Sequence, residues 1–348
     1  MSAAGALAAI IVLALNAYVL LGGADFGGGV WDLLARGRRA ARQRELVAHA
    51  IGPVWEANHV WLILAIVLLF TCFPAAFARI SIALHVPLAL MLVGIVVRGS
   101  AFTFRSSGAG DAAFERRWGR AFAGASLLTP LLLGTVLGAV ASGRVREPGA
   151  LKDSLALAGS RTFLADYVSP WLTPFGVAVG MLTLACFAYL AAVYLVLEAD
   201  DAELREDFRH RAIRSGIAVL AAAVLALGLA GTGAPLLVDG LVRSRWAIPY
   251  VAATGLAATA AFVALGRRRY RVARAAAAAE VSLLVWGWAL AQYPYIVPPD
   301  LTVAGAAAPP ITLTLVLIGL GGGAVVLAPA LYYLFRVFKS SALRRLAP

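Results

Sequence analysis

The sequence predicts an all-α integral membrane protein with nine transmembrane helices, organised as a single transmembrane domain over residues 1–348. Three observations support this fold class. Nine apolar stretches are each long enough for the roughly 20-residue helix that crosses a bilayer. Hydrophobic residues make up 61% of the chain and charged residues only 14%, far from the composition of a soluble domain. Basic residues alternate between dense and sparse connections, as on the two sides of a membrane.

The predicted spans are apolar runs interrupted mainly by Gly and Pro, which transmembrane helices tolerate. No basic residue precedes the first span, so we predict a retained helix there rather than a cleaved signal. The connections are short, which favours a bundle of neighbouring helices with almost no strand. The charged segment 198–211 indicates a solvated helical extension, and the Pro-rich segment 294–310 a surface stretch. The nine spans cover residues 3–22, 54–72, 80–98, 119–142, 168–197, 213–238, 247–266, 272–293 and 311–336.

The distribution of charge predicts the topology. A net charge of +12 would suit a nucleic-acid-binding protein, but in so apolar a chain an excess of Arg marks the cytoplasmic connections instead. With nine spans, 23 of the 30 Lys and Arg residues fall on one side together with the C-terminus. We therefore predict an outer N-terminus, a cytoplasmic C-terminus and no nucleic-acid partner. The seven basic residues left on the outer side are Arg79, Arg144, Arg146, Lys152, Arg161, Arg243 and Arg245.

Carboxyl groups inside a bilayer are costly and are candidate functional groups. Asp25 lies among five glycines after the first predicted span, either as a helix C-cap or as a functional acid. Glu56 opens the second span, where it could favour the helix dipole. Asn58, His59 and Trp61 follow it within one and a half turns, and these polar groups could instead hold a hydrated path.

Glu280 is the deepest acid, about 12 Å inside the eighth span at 1.5 Å per residue. It must be protonated, paired or turned toward a cavity, and Arg98 is one candidate partner by depth alone. Glu198 lies at the end of the fifth span beside the charged connection, where we expect it to be solvated. Cys72 and Cys186 are expected to be free buried thiols.

The four histidines favour packing or solvation over metal ligation. None lies four residues from another His or a Cys, and no haem-attachment or metalloprotease motif occurs. His59 and His85 fall inside predicted spans, where a hydrogen-bonded packing role is favoured over ligation. We therefore predict no metal-binding and no cofactor-binding residue.

Several motifs, in chain order, resemble those of subunit II of cytochrome bd-type quinol oxidases. The Trp-Glu-x-Asn-x-x-Trp and Arg-Gly-x-Ala-Phe-x-Phe-Arg elements are specific when they occur together. The resemblance covers almost the whole chain. The matching segments are LLGGADFGGGV at 20–30, PVWEANHVWLI at 53–63, IVVRGSAFTFR at 95–105, SLLTPLLLG at 126–134, LTPFGVAVG at 172–180 and YPYIVP at 293–298.

The resemblance implies two four-helix bundles plus one peripheral helix, in the cytoplasmic membrane of a prokaryote. It implies a larger partner, subunit I, that carries haem b and haem d, oxidises quinol and reduces O₂ to water. Subunit II would have no catalytic residue and would supply cytoplasmic protons. It leaves open a small accessory subunit and a structural quinone or lipid.

Asp25 and Glu56 match acidic positions of the family, so we predict that they lie on the proton path. Glu280 matches no family acid and could be a replacement carboxyl group, while Gly22 stands where an Asp is common. Asn58, His59, Trp61 and Arg98 would support the path. Two alternatives remain from the residues alone. One is a proton- or ion-coupled transporter, and the other is a purely structural subunit.

Overall fold

A computed structural model describes residues 2–51, 55–106, 112–145 and 163–344 of the chain. These residues are almost entirely helical. Three basic residues of the topology prediction, Arg146, Lys152 and Arg161, lie outside the described residues. The helices are α1 (Ala3–Leu33), α2 (Ala40–Ile51), α3 (Trp55–Cys72), α4 (Pro74–Ala83), α5 (His85–Ser106), α6 (Ala112–Ala141), α7 (Phe163–Tyr167), α8 (Pro174–Glu198), α9 (Ala202–Gly233), α10 (Pro235–Arg243), α11 (Ala247–Gly266), α12 (Tyr270–Gln292) and α13 (Pro310–Arg344).

Eight of the described helices are long and apolar enough to cross a membrane, and a ninth span results if α2 and α3 count as one bent pair. The prediction of an all-α membrane protein is therefore confirmed. The third span differs in detail, because the chain breaks at Leu84 between α4 and α5. Pro87 lies in the first turn of α5, where its missing N–H costs least.

Eight of the long helices form two groups of four. The first bundle contains α1, α3, α5 and α6, and the second contains α8, α9, α11 and α12. Helix α8 also packs against α1 and α6, so it joins the two bundles. Helix α13 contacts α1 and α3, and most of its described surface is exposed, as expected for a peripheral helix.

Residues 294–310, which we predicted to be a Pro-rich surface stretch, contain the only strands in the part of the chain that the structure describes. Two short antiparallel strands, β1 (Tyr295–Val297) and β2 (Leu301–Thr302), form a hairpin there. Val297 is completely buried, and the N–H of Ala308 donates to the carbonyl of Cys72 at 2.8 Å. The hairpin is therefore part of the packed end of the first bundle.

Ion pairs cross between the bundles at the face where α1 ends and α9 begins, which we call the charged face. Arg39 forms two hydrogen bonds to Asp207, of 2.8 Å and 2.7 Å, and Gln43 donates to the same carboxylate at 2.8 Å. Arg42 pairs with Asp201 at 2.7 Å. As predicted, the charged connection after α8 becomes the first turns of a helix, α9, with Asp201 as its N-cap.

Candidate functional site

Asp25 lies within helix α1, not at its end. The helix continues for two more turns to Leu33, so the C-cap interpretation of the glycine-rich segment was wrong. The glycines serve close packing instead: a Cβ at Gly23 would lie 2.7 Å from the ring of Phe187 on α8, and one at Gly27 would overlap the Phe187 carbonyl. Small residues let helices approach closely in membranes, and this approach buries the carboxyl group of Asp25.

The carboxyl group of Asp25 is only 5% exposed and accepts a hydrogen bond from the Asn58 side chain at 2.7 Å. Asn58 is itself buried on α3. The ring of His59 lies 5.8 Å from the ring of Tyr18 and 6.2 Å from that of Phe26, both on α1. The WEANHVW motif therefore presents two successive polar side chains to the Asp25 region of α1.

Arg98 on α5 completes a buried polar group, which we call the Asp25 cluster (Asp25, Asn58, His59 and Arg98). Arg98 is 2% exposed, and its guanidinium lies 4.5 Å above the ring of Phe26 and 5.4 Å from the ring centre of Phe122. It interacts electrostatically with Asp25, although the two groups form no ion pair within 4.0 Å. The predicted pairing of Arg98 with Glu280 was wrong, because Arg98 points toward α1 and α6.

The interior beside Arg98 contains polar atoms that have no hydrogen-bond partner within the described chain. They are Nε and Nη2 of Arg98, Oγ of Ser126 and Oγ1 of Thr129, all buried. Thr129 faces Gly94, one turn from Arg98 on α5. Leaving such groups unbonded costs about 1–3 kcal/mol each, and buried polar groups normally bond protein or ordered water. These donors and hydroxyls are therefore candidate partners for water beside Asp25 and Arg98.

Glu56 is not part of the Asp25 cluster. It is exposed in the first turn of α3, whereas Asn58, two residues later, is buried. Two residues correspond to about 200° of rotation around a helix, so the two side chains face opposite ways. Trp61 is half-buried and packs against the hydrophobic core.

Glu280 is buried in the second bundle, with 7% of its surface exposed. The groups that interact with it electrostatically are Tyr189 and Cys186 on α8, not Arg98. As expected, Cys186 and Cys72 are free and buried, and Glu198 is exposed at the end of α8. In the part of the chain that the structure describes, the buried carboxyl groups are Asp25, Asp32 and Glu280, and Glu280 is the one in the second bundle.

No three His, Cys, Asp or Glu side chains converge as a metal site in the described ranges. His85 packs edge-on against Tyr167, with ring centres 4.7 Å apart, and His210 lies near Glu206 on the charged face. The aromatic rings around Arg98 and the hydroxyls of α6 were missed by the sequence reasoning. The only available signal was the SLLTPLLLG segment, which holds both hydroxyl residues.

These observations define a multi-pass helical membrane protein with a charged, hydratable interior in one of two bundles. Residues 4–338 match the family model described as cytochrome bd terminal oxidase subunit II. The chain therefore belongs to the cytochrome bd terminal oxidase subunit II family, and it is a subunit of a bd-type terminal quinol oxidase with a subunit I partner and haems in the complex. The transporter alternative has no support.

Individual relatives agree with the family match. A Bacillus subtilis (strain 168) protein inferred to be a cytochrome bd menaquinol oxidase subunit II is 23% identical over 336 residues, covering 92% of this chain and 91% of that protein. Subunit 2 of the cytochrome bd-I ubiquinol oxidase of Escherichia coli (strain K12) is 26% identical over 186 residues, 53% of this chain and 46% of that protein. The fold matches a chain in the structure of the bd oxidase from Geobacillus thermodenitrificans with a TM-score of 0.78 and 23% identity, covering 97% of this chain and 99% of that one.

Proposed function

We propose that this subunit delivers protons to the oxygen-reducing site of the complex through the Asp25 cluster. The haems b and d lie on subunit I in this proposal and supply the electron transfer and oxygen chemistry. The observation that carries the proposal is a buried carboxyl group beside a buried guanidinium with unbonded donors. Carboxyl groups within hydrated, low-dielectric sites can exchange protons near neutral pH.

The charged face is the cytoplasmic face in this proposal, which gives an outer N-terminus and an inner C-terminus. The support is the clustering of arginines from separate connections at one end of the bundle. Arg39 and Arg268 both pair with acids of α9, at Asp207 and Glu206. An excess of Lys and Arg in short connections favours the cytoplasmic side. Protons drawn from the cytoplasm would then enter near the end of α1.

Glu56 collects protons at the boundary with subunit I in this proposal. It begins an exposed stripe of α3 that continues, at helical spacing, through Val60, Ile63, Val67 and Phe70. Such an apolar stripe needs lipid or another subunit beside it. Water between the subunits could link Glu56 to the partner, while Asp25 serves the interior. Quinol, lipids and a small accessory subunit would bind at other surfaces.

Glu56→Gln and Asp25→Asn in the whole complex test the proposal. We expect each substitution to lower oxygen consumption by roughly ten-fold or more, because a positioned proton carrier contributes about 10²–10⁴ in rate. The visible haem spectrum should stay unchanged, because neither side chain is proposed to touch a haem. Glu198→Gln is the matched control, since Glu198 is an exposed acid outside the path.

The outcomes separate the two remaining roles. Full turnover in Glu56→Gln would show that Glu56 is not on the proton path. Full turnover in both Glu56→Gln and Asp25→Asn would show that the subunit is purely structural. Loss of turnover together with loss of the haem spectrum would indicate failed assembly. In that case proton uptake measured on Glu56→Asp, which keeps a carboxyl group, decides between the roles.

A further inference from the structure

Glu280, a buried carboxyl group outside the Asp25 cluster, faces a buried phenol. Glu280 on α12 is 7% exposed and Tyr189 on α8 is completely buried. Oε2 of Glu280 and the Tyr189 hydroxyl are both buried, and neither makes a hydrogen bond of good distance and angle in the described chain, although the two groups interact. Two neighbouring buried oxygens without a well-formed hydrogen bond fit a bridging water.

Helix α8 separates this pair from the Asp25 cluster. Tyr189 and Cys186, three residues apart, share the face of α8 that meets Glu280. Phe187 lies on the neighbouring face, where its ring stacks on Phe26 of α1 at 6.2 Å between centres. The stacked rings of Phe187 and Phe26 therefore lie between Glu280 and the Asp25 cluster.

Among the described residues, no basic group interacts electrostatically with the Glu280 carboxyl. Its electrostatic contacts are with Tyr189 and Cys186, both from α8. Arg274, earlier on α12, is instead placed over the ring of Tyr194 at 5.7 Å. Tyr250 of α11 donates its hydroxyl to the carbonyl of Leu283. A carboxylate buried without a counter-cation is strongly disfavoured, so the group carries a proton.

We propose that Glu280, Tyr189 and a bridging water form a second proton site, separate from the Asp25 cluster, which gives up and regains one proton in each cycle of the oxidase. The carboxyl O–H bond breaks as its proton passes to the bridging water, that water releases one proton toward the oxygen-reducing site of the complex, where it is consumed in forming water, and a proton from the charged face restores the acid. No electron is transferred in this step. The site lies about 15 Å from the start of α12 at 1.5 Å per residue. The use of this proton in oxygen reduction rests on the proposed function, whereas the existence of the site does not.

Infrared difference spectroscopy of the whole complex, reduced against oxidised, tests the site in H₂O and in D₂O. We expect a C=O stretching band of a protonated carboxyl group that moves to lower frequency in D₂O. Glu280→Gln should abolish this band. Tyr189→Phe should shift it, because the hydrogen bonding of the acid changes. Glu198→Gln should leave it unchanged, because that acid is exposed. If the spectrum of Glu280→Gln keeps every wild-type carboxyl band, the proposal is overturned.

Turnover distinguishes this proposal from the preceding one. If both hold and the routes are separate, Glu280→Gln lowers oxygen consumption several-fold, and its effect multiplies with that of Asp25→Asn. If the band behaves as expected but Asp25→Asn has full turnover, the Asp25 path fails and the Glu280 site stands. If Asp25→Asn is slow and the Glu280 band is missing, the second site fails alone.

Discussion

The electrostatic coupling of Asp25 and Arg98 can be measured by a charge-balanced pair of substitutions. Asp25→Asn removes the negative charge but keeps an oxygen that can accept from Asn58, whose donor now lies 2.7 Å away. Arg98→Met removes the cation and fills its space with an apolar chain of similar length. Each single variant leaves one charge buried without its opposite, and the double variant leaves neither.

The expected magnitudes follow from burial and geometry. Removing one partner of a buried charge pair costs about 3–5 kcal/mol, and the lower end applies here because no direct ion pair forms within 4.0 Å. Arg98→Met also loses cation–π contacts of 4.5 Å and 5.4 Å, which adds about 1 kcal/mol. We expect the double variant to lose about 2 kcal/mol less stability than the two single losses combined.

Thermal unfolding of the purified complex, followed by intrinsic fluorescence and by haem absorbance, measures these losses. For chains of this size a loss of 1 kcal/mol lowers Tm by about 2 °C, so the coupling should appear as about 4 °C of recovered stability. The wild-type complex in the same detergent is the reference. If the double variant is as unstable as the sum of the singles predicts, the two charges do not stabilise each other and the Asp25 cluster is not an electrostatic unit.

Two further predictions concern packing and capping. Gly27→Ala should lower the free energy of unfolding by about 2 kcal/mol, because its Cβ would overlap the Phe187 carbonyl. Gly228→Ala is the control, because a Cβ there would meet no neighbouring atom within 4 Å. Equal Tm values for the two variants would contradict close α1–α8 packing. The Glu203 backbone N–H, and then Arg42, lower the pKa of Asp201. A lowered pKa means that stabilisation is present above the unfolded-state pKa of about 3.9 and is lost as pH falls through the folded-state value. Asp201→Ala should therefore lower Tm at pH 7 by about 2 °C, and Asp201→Ser should lower it less because Ser keeps the N-cap. Both differences from the wild type should shrink toward pH 3. Differences that persist unchanged at pH 3 would refute the role of the Asp201 charge.

The sequence predicted the fold class and the approximate spans because lipid imposes a simple rule on the chain. Every backbone polar group within the bilayer must be bonded internally, so long apolar stretches become helices. The glycine-rich segment around Asp25 was misread as a helix end, since the same residues serve as C-caps in water and as packing contacts in lipid. The hairpin of β1 and β2 gave no signal in the sequence, because strands of two and three residues carry no usable alternation.

The candidate site was predicted in part. We predicted Asn58 and His59 as polar support, beside Glu56, for a proton path that also includes Asp25, and the structure places Asn58 against Asp25 and His59 against the neighbouring Phe26. The grouping of Glu56 with Asn58 could have been avoided, since two residues on a helix face opposite directions. The pairing of Arg98 with Glu280 could not have been corrected from sequence. Depth along a helix axis says nothing about which neighbouring helix a side chain meets.

The placement of α8 between the two carboxyl groups has a physical consequence for the proton chemistry. The face of α8 that carries Phe187 packs closely on Gly23 and Gly27 of α1, and a different face carries Tyr189 toward α12. Close packing excludes water from the α1–α8 interface. Protons cannot then pass directly across α8 between Asp25 and Glu280 without a hydrated opening. The two carboxyl groups must therefore exchange protons with water independently, which is why their substitutions should act as separate factors on turnover.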